Sequence, residues 1–148
     1  MSATLDVLGE DSTTEEQALD GEKIYQAAIQ KINEHDLDAN ISVKLSMLGL
    51  RFDVSLCESI VRRLTQTAEL HDSFVRIDME DASVTRLTLD LYRKLRLDTD
   101  RVGVAVQAHL RSTVNEVRDL LEEGDTNLRV CKGIYIEPES LAYQDFKE

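Results

Sequence analysis

The residues able to do chemistry fall into five groups along this chain, each at the end of a stretch of alternating apolar and polar residues. They are Asp6 and Glu10; Ser42, Lys44 and Ser46; Asp78 and Glu80; Gln107 and His109; and Arg129 and Lys132. The pattern is sharpest at 74–81, where Val75, Ile77 and Met79 alternate with Arg76, Asp78 and Glu80. In an extended chain the apolar set takes one face and the three ionisable groups the other. A strand covered by helices on both faces normally reads as a continuous apolar run. Ionisable groups repeated on one face therefore need a reason: the face looks into the mouth of a barrel where a cofactor sits.

The elements that would position these groups follow from periodicity. Strands are predicted at 4–10, 41–46, 74–81, 102–110 and 128–136. Between them lie four helical patterns. Ser12 with Glu15 and Thr13 with Glu16 both fit a capping box opening the first helix. Its inward stripe reads Ile24, Ala28 and Ile32 with Tyr25 and Ile29, and Gly21 is a weak point that could divide it. Ser55 with Glu58 caps the second helix, which carries Leu56, Ile60, Leu64 and Ala68. The third begins near Ser83 with Val84, Leu87, Leu91 and Leu95. The fourth, capped by Thr113 with Glu116, packs Val114, Val117, Leu120 and Leu121 and stops at Gly124. Pro138 suits the first turn of another helix. The fold class is α/β: a partial (βα)8 TIM-like barrel of about five parallel strands and four complete helices, spanning 1–148 as one unit. No Gly-x-Gly-x-x-Gly follows any strand, which disfavours a Rossmann dinucleotide fold.

Composition narrows the function classes. The chain has 148 residues, 42% hydrophobic and 31% charged, enough for one domain with its own core. A net charge of −12 argues against nucleic acid as partner, because phosphate binding needs clustered Lys and Arg. No apolar run is long enough for a transmembrane segment, and no signal peptide is read at the N-terminus. Cys57 and Cys131 lack metal-ligand spacing and suit free thiols in a reducing cytoplasm.

Five motifs, one per strand and in order, then carry a resemblance. They are Leu8-Gly9-Glu10; Ser42-Val43-Lys44-Leu45-Ser46 with Leu48-Gly49-Leu50; Val75-Arg76-Ile77-Asp78-Met79-Glu80-Asp81; Val106-Gln107-Ala108; and Leu128-Arg129-Val130-Cys131-Lys132-Gly133. Over nearly its whole length the chain resembles the bacterial proline dehydrogenases, flavoenzymes that oxidise L-proline to Δ1-pyrroline-5-carboxylate.

That resemblance implies a distorted (βα)8 barrel binding FAD. It implies catalytic roles for Lys44, Asp78 and Arg129. It places Asp78, Gln107, Arg129, Lys132 and Gly133 at the cofactor, with Asp78 orienting Arg129. Lys44 and Tyr135 would lie by the substrate, and Glu10 would form half of an ionic gate. It also implies a quinone electron acceptor reached by peripheral membrane contact, in a cytoplasmic protein. No metal is implied.

The chain departs from the family pattern at two positions. His109 replaces the usual Tyr after Gln-Ala, and Ile134 replaces the usual Ala in the Lys-Gly-Ala-Tyr run. The family's last three strands, and a final helix bearing an arginine pair for the substrate carboxylate, have no counterpart. The expectation is therefore the N-terminal part of the enzyme, weak or inactive alone, with open sheet edges prone to self-association. Plainer readings stand beside this one. Lys44 and Asp78 could be structural ion-pair partners, Gln107 could satisfy backbone groups, Arg76 is a structural group lower in its strand, and His109 and Glu80 are rim residues. Two other functions fit the pattern: a Schiff-base aldolase using Lys44 or Lys132, and a non-enzymatic half-barrel that assembles with a second polypeptide.

Overall fold

The computed structural model describes residues 3–145. Five strands, β1 (Ala3–Asp6), β2 (Ala39–Val43), β3 (Val75–Ile77), β4 (Val102–Gln107) and β5 (Leu128–Cys131), alternate with four helices. The helices are α1 (Glu15–Glu34), α2 (Val54–Leu70), α3 (Thr85–Leu95) and α4 (Thr113–Glu122). Each strand pairs in parallel with the next in sequence, giving the order β1-β2-β3-β4-β5. A doubly wound sheet reverses its strand order at a switch point. Here nothing reverses, so the sheet is that of a half-barrel, with a polar concave face left uncovered.

Register fixes which side chains share that face. Asp6 aligns with Ser42, Ser42 with Arg76, and Arg76 with Gly103; two residues further on, Ala105 aligns with Arg129 and Gln107 with Cys131. The opposite parity, Ile41, Val43, Val75, Ile77, Val102 and Val104, is buried with Tyr25, Ile29, Ile60, Leu64, Leu91 and Leu95 from the helices. The core therefore lies between sheet and helices. Neighbouring helices are also linked at the surface: Arg63 donates to both Glu22 oxygens at 2.7 Å, Lys94 to Glu58 at 2.9 Å, and Arg93 to Glu123 at 2.9 Å. Partly exposed pairs of this kind contribute little each, about 0–1 kcal/mol.

The strands end earlier than the alternation suggests. Predicted strands at 4–10, 74–81 and 128–136 stop pairing at Asp6, Ile77 and Cys131. Alternation outlasts the ladder because residues beyond it still point by turns toward the cavity and the core, with only single backbone bonds such as His109 N to the Lys132 carbonyl at 3.0 Å continuing between neighbours. The caps shift as well. Thr14 caps α1, accepting from Gln17 N at 3.3 Å, and Asp53 caps α2, accepting from Leu56 N at 2.9 Å. Thr113 does not cap α4; its hydroxyl donates to the Gln107 carbonyl at 2.6 Å.

Some stripe residues are misassigned by periodicity alone. Ile24, Leu87, Val114 and Leu121 are exposed, and Ala18, Cys57, Val61 and Tyr92 take buried places. A 3.6-residue period admits two adjacent stripes, and docking on the sheet selects between them. α1 runs unbroken through Gly21, which is buried against Met47. Among the described residues no helix follows Pro138. Leu141 N and Ala142 N donate to its carbonyl at 2.8 and 3.0 Å, forming a turn, and Ala142 then bridges antiparallel to Leu110.

Candidate functional site

The carboxyl ends of the five strands open onto a cavity of about 580 Å³. Asp6, Glu10, Lys44, Asp78, Glu80, Gln107, Cys131, Lys132, Gly133, Ile134 and Tyr135 line it together with Met79 and Ala105. Every residue to which the resemblance gives a site role is among them except Arg129, which reaches the cavity wall through Asp78; Ser42, Ser46 and His109 of the polar stripe are not. Asp6, Gln107 and Cys131 are the last residues of their strands; Lys44 and Asp78 follow β2 and β3 directly. Glu10, Glu80, Gly133 and Tyr135 sit on the loops beyond.

Three polar arrangements organise the wall. In the first, Arg129 Nη2 is ion-paired with Asp78 Oδ1 and also donates to Ser42 Oγ at 3.2 Å. The Ser42 hydroxyl in turn donates to the same Asp78 oxygen at 2.7 Å. The pair spans from β5 to the end of β3 over the small side chain of Ala105. In the second, Lys44 Nζ is ion-paired with Asp6, and Lys44 N donates to the buried Tyr25 hydroxyl at 3.4 Å. In the third, Gln107 Nε2 donates to the carbonyls of Met79 at 3.1 Å and Glu80 at 2.6 Å. Both protons of its carboxamide are thereby directed at the loop that follows β3. Its Oε1 is buried without a partner.

Gly133 explains how β5 leaves the sheet beside that carboxamide. Its φ is +100°, and a Cβ there would run into the His109 ring and Gln107 Oε1. Only glycine tolerates both conditions. Both ring nitrogens of His109 are buried without partners, and the ring packs on Gly133 outside the cavity lining. Across the mouth, Tyr135 OH lies 3.5 Å from Glu10 Oε1. Burial, then the charges of Glu10, Glu80 and Asp81, push the Tyr135 phenol up.

Of two further residues, one matches its sequence reading and one departs from it. Arg76 is, as expected, a structural group below the cavity. Its guanidinium donates to the Asn127 carbonyl at 2.9 Å and side-chain oxygen at 2.6 Å, in room left by Gly103. Glu80, by contrast, is no rim residue. It is 2% exposed and accepts from Ser46 N at 2.9 Å and from Ser46 Oγ. Burial raises its carboxyl above the usual range against the opposing pull of those bonds.

Sequence reasoning also missed Arg51. From the loop after β2 it donates to Asp11 at 2.7 Å, to Ser83 Oγ at 3.2 Å and to Asp81, joining three successive loops above the cavity. A lone arginine in a loop carries no periodic signal. Among the described residues, no group of three His, Cys, Asp or Glu side chains is placed to hold a metal. No described helix is long and apolar enough to cross a membrane.

Similarity to known proteins bears on this site. The sequence model of the family described as Proline dehydrogenase matches residues 1–145. Proline dehydrogenase 1 of Bacillus subtilis (strain 168) is 34% identical over 145 residues, 98% of this chain and 48% of that protein. Proline dehydrogenase of Deinococcus radiodurans is 31% identical over 154 residues, with 98% and 48% covered. The chain thus spans about half the length of these curated relatives. Among solved structures, a variant of proline utilization A (PutA) from Bradyrhizobium japonicum superposes with a TM-score of 0.77 at 28% identity, over 88% of this chain and 16% of that one. PutA from Bdellovibrio bacteriovorus gives 0.78 at 22% identity, over 89% and 17%, a likeness of fold alone.

Proposed function

The chain belongs to the proline dehydrogenase family, and on that premise we propose that residues 1–148 form the N-terminal part of a barrel that binds FAD and oxidises L-proline to Δ1-pyrroline-5-carboxylate. The observation carrying this reading is the meeting of Asp78, Arg129, Gln107, Lys44 and Tyr135 around one cavity, although they come from four different strand ends.

The residues present fit a flavin. Gln107 Oε1 is a buried acceptor without a partner, which suits an N–H group of a bound ring. Gly133 lines the cavity beside it, its missing side chain letting the carboxamide and the His109 ring pack against the backbone. Lys132 and Gly133 would lie along the cofactor, and the Arg129 cation would contact it. Bound FAD would supply the hydride acceptor, the chemistry no side chain here can provide.

The chain's own residues do the rest. Asp78 and Ser42 hold the Arg129 guanidinium in one orientation, so its positive charge stands ready where negative charge develops. Lys44, steadied by Asp6, faces the substrate side and supplies a cation there. Tyr135 walls the proline ring. Glu10 sits over the mouth and limits entry. The sheet covers the cavity from one side, so water is poorly excluded, and turnover by this polypeptide alone is weak. β1 and β5 are its open edges, through which copies would associate. The electron acceptor in this reading is a quinone met at a membrane surface, from a cytoplasmic location.

The test is direct. The purified chain is titrated with FAD, then mixed with L-proline while flavin absorbance is followed. FAD uptake with slow bleaching is expected. No FAD uptake overturns the cofactor assignment, and fast bleaching overturns the expectation of weak turnover.

A further inference from the structure

We propose that Glu80 is a positioning residue that couples the two sides of the cavity: its carboxylate sets the loop bearing Glu10 through Ser46, and its main-chain carbonyl sets the Gln107 carboxamide. Glu80 has no role in the family resemblance or in the reading above. The assignment of a substrate side to Glu10 and a cofactor side to Gln107 rests on that reading; the hydrogen-bond chain does not.

The chain of bonds starts at a buried carboxylate. Ser46, fully buried, gives Glu80 both its amide proton, at 2.9 Å to Oε1, and its hydroxyl proton, to Oε2. With that proton committed, Ser46 Oγ can only accept, and it accepts from Asp11 N at 3.2 Å. The Ser46 carbonyl accepts from Ser12 N and Ser12 Oγ, each at 3.1 Å. The two residues following Glu10 therefore hang on Ser46, and the orientation of Ser46 hangs on Glu80. Asp11 has φ +53°, a left-handed conformation that a residue with a side chain holds only with support from outside.

The other side of the cavity depends on the same residue. The Glu80 carbonyl accepts from Gln107 Nε2 at 2.6 Å, the shorter of that group's two bonds. This bond decides which end of the carboxamide remains unpaired. A carboxylate is an expensive group to bury for packing alone. Satisfied by two Ser46 donors while its own backbone holds Gln107, it moves the two loops as one unit. Displacing Glu80 shifts Glu10 and Gln107 together.

Hydrogen–deuterium exchange on the 148-residue chain tests this without any ligand. Glu80→Ala and Ser46→Ala are expected to speed amide exchange in residues 10–13 by about tenfold or more, with peptides from α2 and α3 keeping wild-type rates. Glu80→Gln keeps an acceptor for Ser46 N and is expected to restore most of the protection. Equal acceleration in α2 and α3 would make Glu80 a general stabiliser and overturn the proposal, as would unchanged rates at 10–13 in both variants. Should Glu80→Ala fail to fold, Glu80→Asp, whose shorter side chain draws the carboxylate back from both Ser46 donors, decides in its place by the same criteria. A second arm titrates FAD. Where the wild type binds it, Glu80→Ala is expected to weaken binding about fivefold and to alter the bound flavin's absorption, with Glu80→Gln close to wild type. A Glu80→Ala chain that binds FAD as wild type does would overturn the link to Gln107. Absence of FAD uptake by the wild type counts against the proposed function only, and the exchange arm still decides the role of Glu80.

Discussion

Arg129 on β5 is paired with Asp78 at the end of β3, although β4 lies between those strands. The pair crosses the sheet over Ala105, which register places opposite Arg129. A methyl group is about the largest side chain that leaves this route open. Ala105→Leu is therefore expected to part the two residues with the sheet intact. If the pair positions Arg129 for a flavin, FAD affinity should fall roughly tenfold, the scale of one charge-assisted hydrogen bond in a half-exposed setting. Asp78→Asn should produce a similar loss. Flavin fluorescence titration on folded variants is the measurement, and unchanged affinity in both would remove Arg129 from the cofactor contacts.

The pairing of Lys44 with Asp6 bears on the aldolase alternative. A Schiff-base lysine attacks as the neutral amine and is usually desolvated or set beside another cation. Lys44 instead meets a carboxylate. Borohydride reduction in the presence of an aldehyde or ketone substrate is expected to leave Lys44 unmodified by peptide mass spectrometry. Trapped adduct at Lys44 would revive the aldolase reading.

The two cysteines should differ in reactivity. Burial, then the charge of Glu80, pushes the Cys57 thiol up to about 12, so it carries almost no thiolate at neutral pH. Cys131 is exposed and lines the cavity. Iodoacetamide at pH 8 is expected to label Cys131 alone in the native chain and both cysteines in denaturant. If FAD occupies the cavity, it should slow labelling of Cys131; equal rates with and without bound FAD would place the cofactor elsewhere.

Asp81 and Glu80 are adjacent and contribute to stability with opposite pH dependence. Burial pulls Asp81 up, but bonds from Ser83 and Arg51 outweigh it and leave the carboxyl below its ordinary 3.8. Its contribution is complete above 3.8 and lost as pH falls through the lowered native value. Glu80, raised by burial, contributes most below its ordinary 4.5 and loses that contribution as pH rises through its raised native value. Asp81→Asn should therefore be less stable than wild type at pH 6, with the gap closing below pH 3.8. Glu80→Gln should do relatively better at pH 7 than at pH 4. Urea midpoints followed by circular dichroism across this range are the check; parallel pH profiles for all three proteins would refute both assignments.

The chain itself dictated the fold class and most of the cavity. Strict alternation at Val75–Ile77 and along Val102–Gln107 can bury one face only as strand, and βα repetition without a dinucleotide motif leaves few architectures. The same alternation named Lys44, Asp78, Gln107 and Arg129, because polar groups recurring toward strand ends must share a face. Periodicity, however, records only neighbours along one element. Whether Ile24 or Ala18 faces the sheet is decided by how α1 docks, and whether Glu80 stands at a rim or inside is decided by where the loop after β2 folds back. The pairing of Arg129 with Asp78 across β4, the suspension of Asp11 and Ser12 from Ser46, and the reach of Arg51 over three loops join residues 30 or more positions apart. Such contacts exist only once the strands stand side by side, since tertiary packing alone sets those distances.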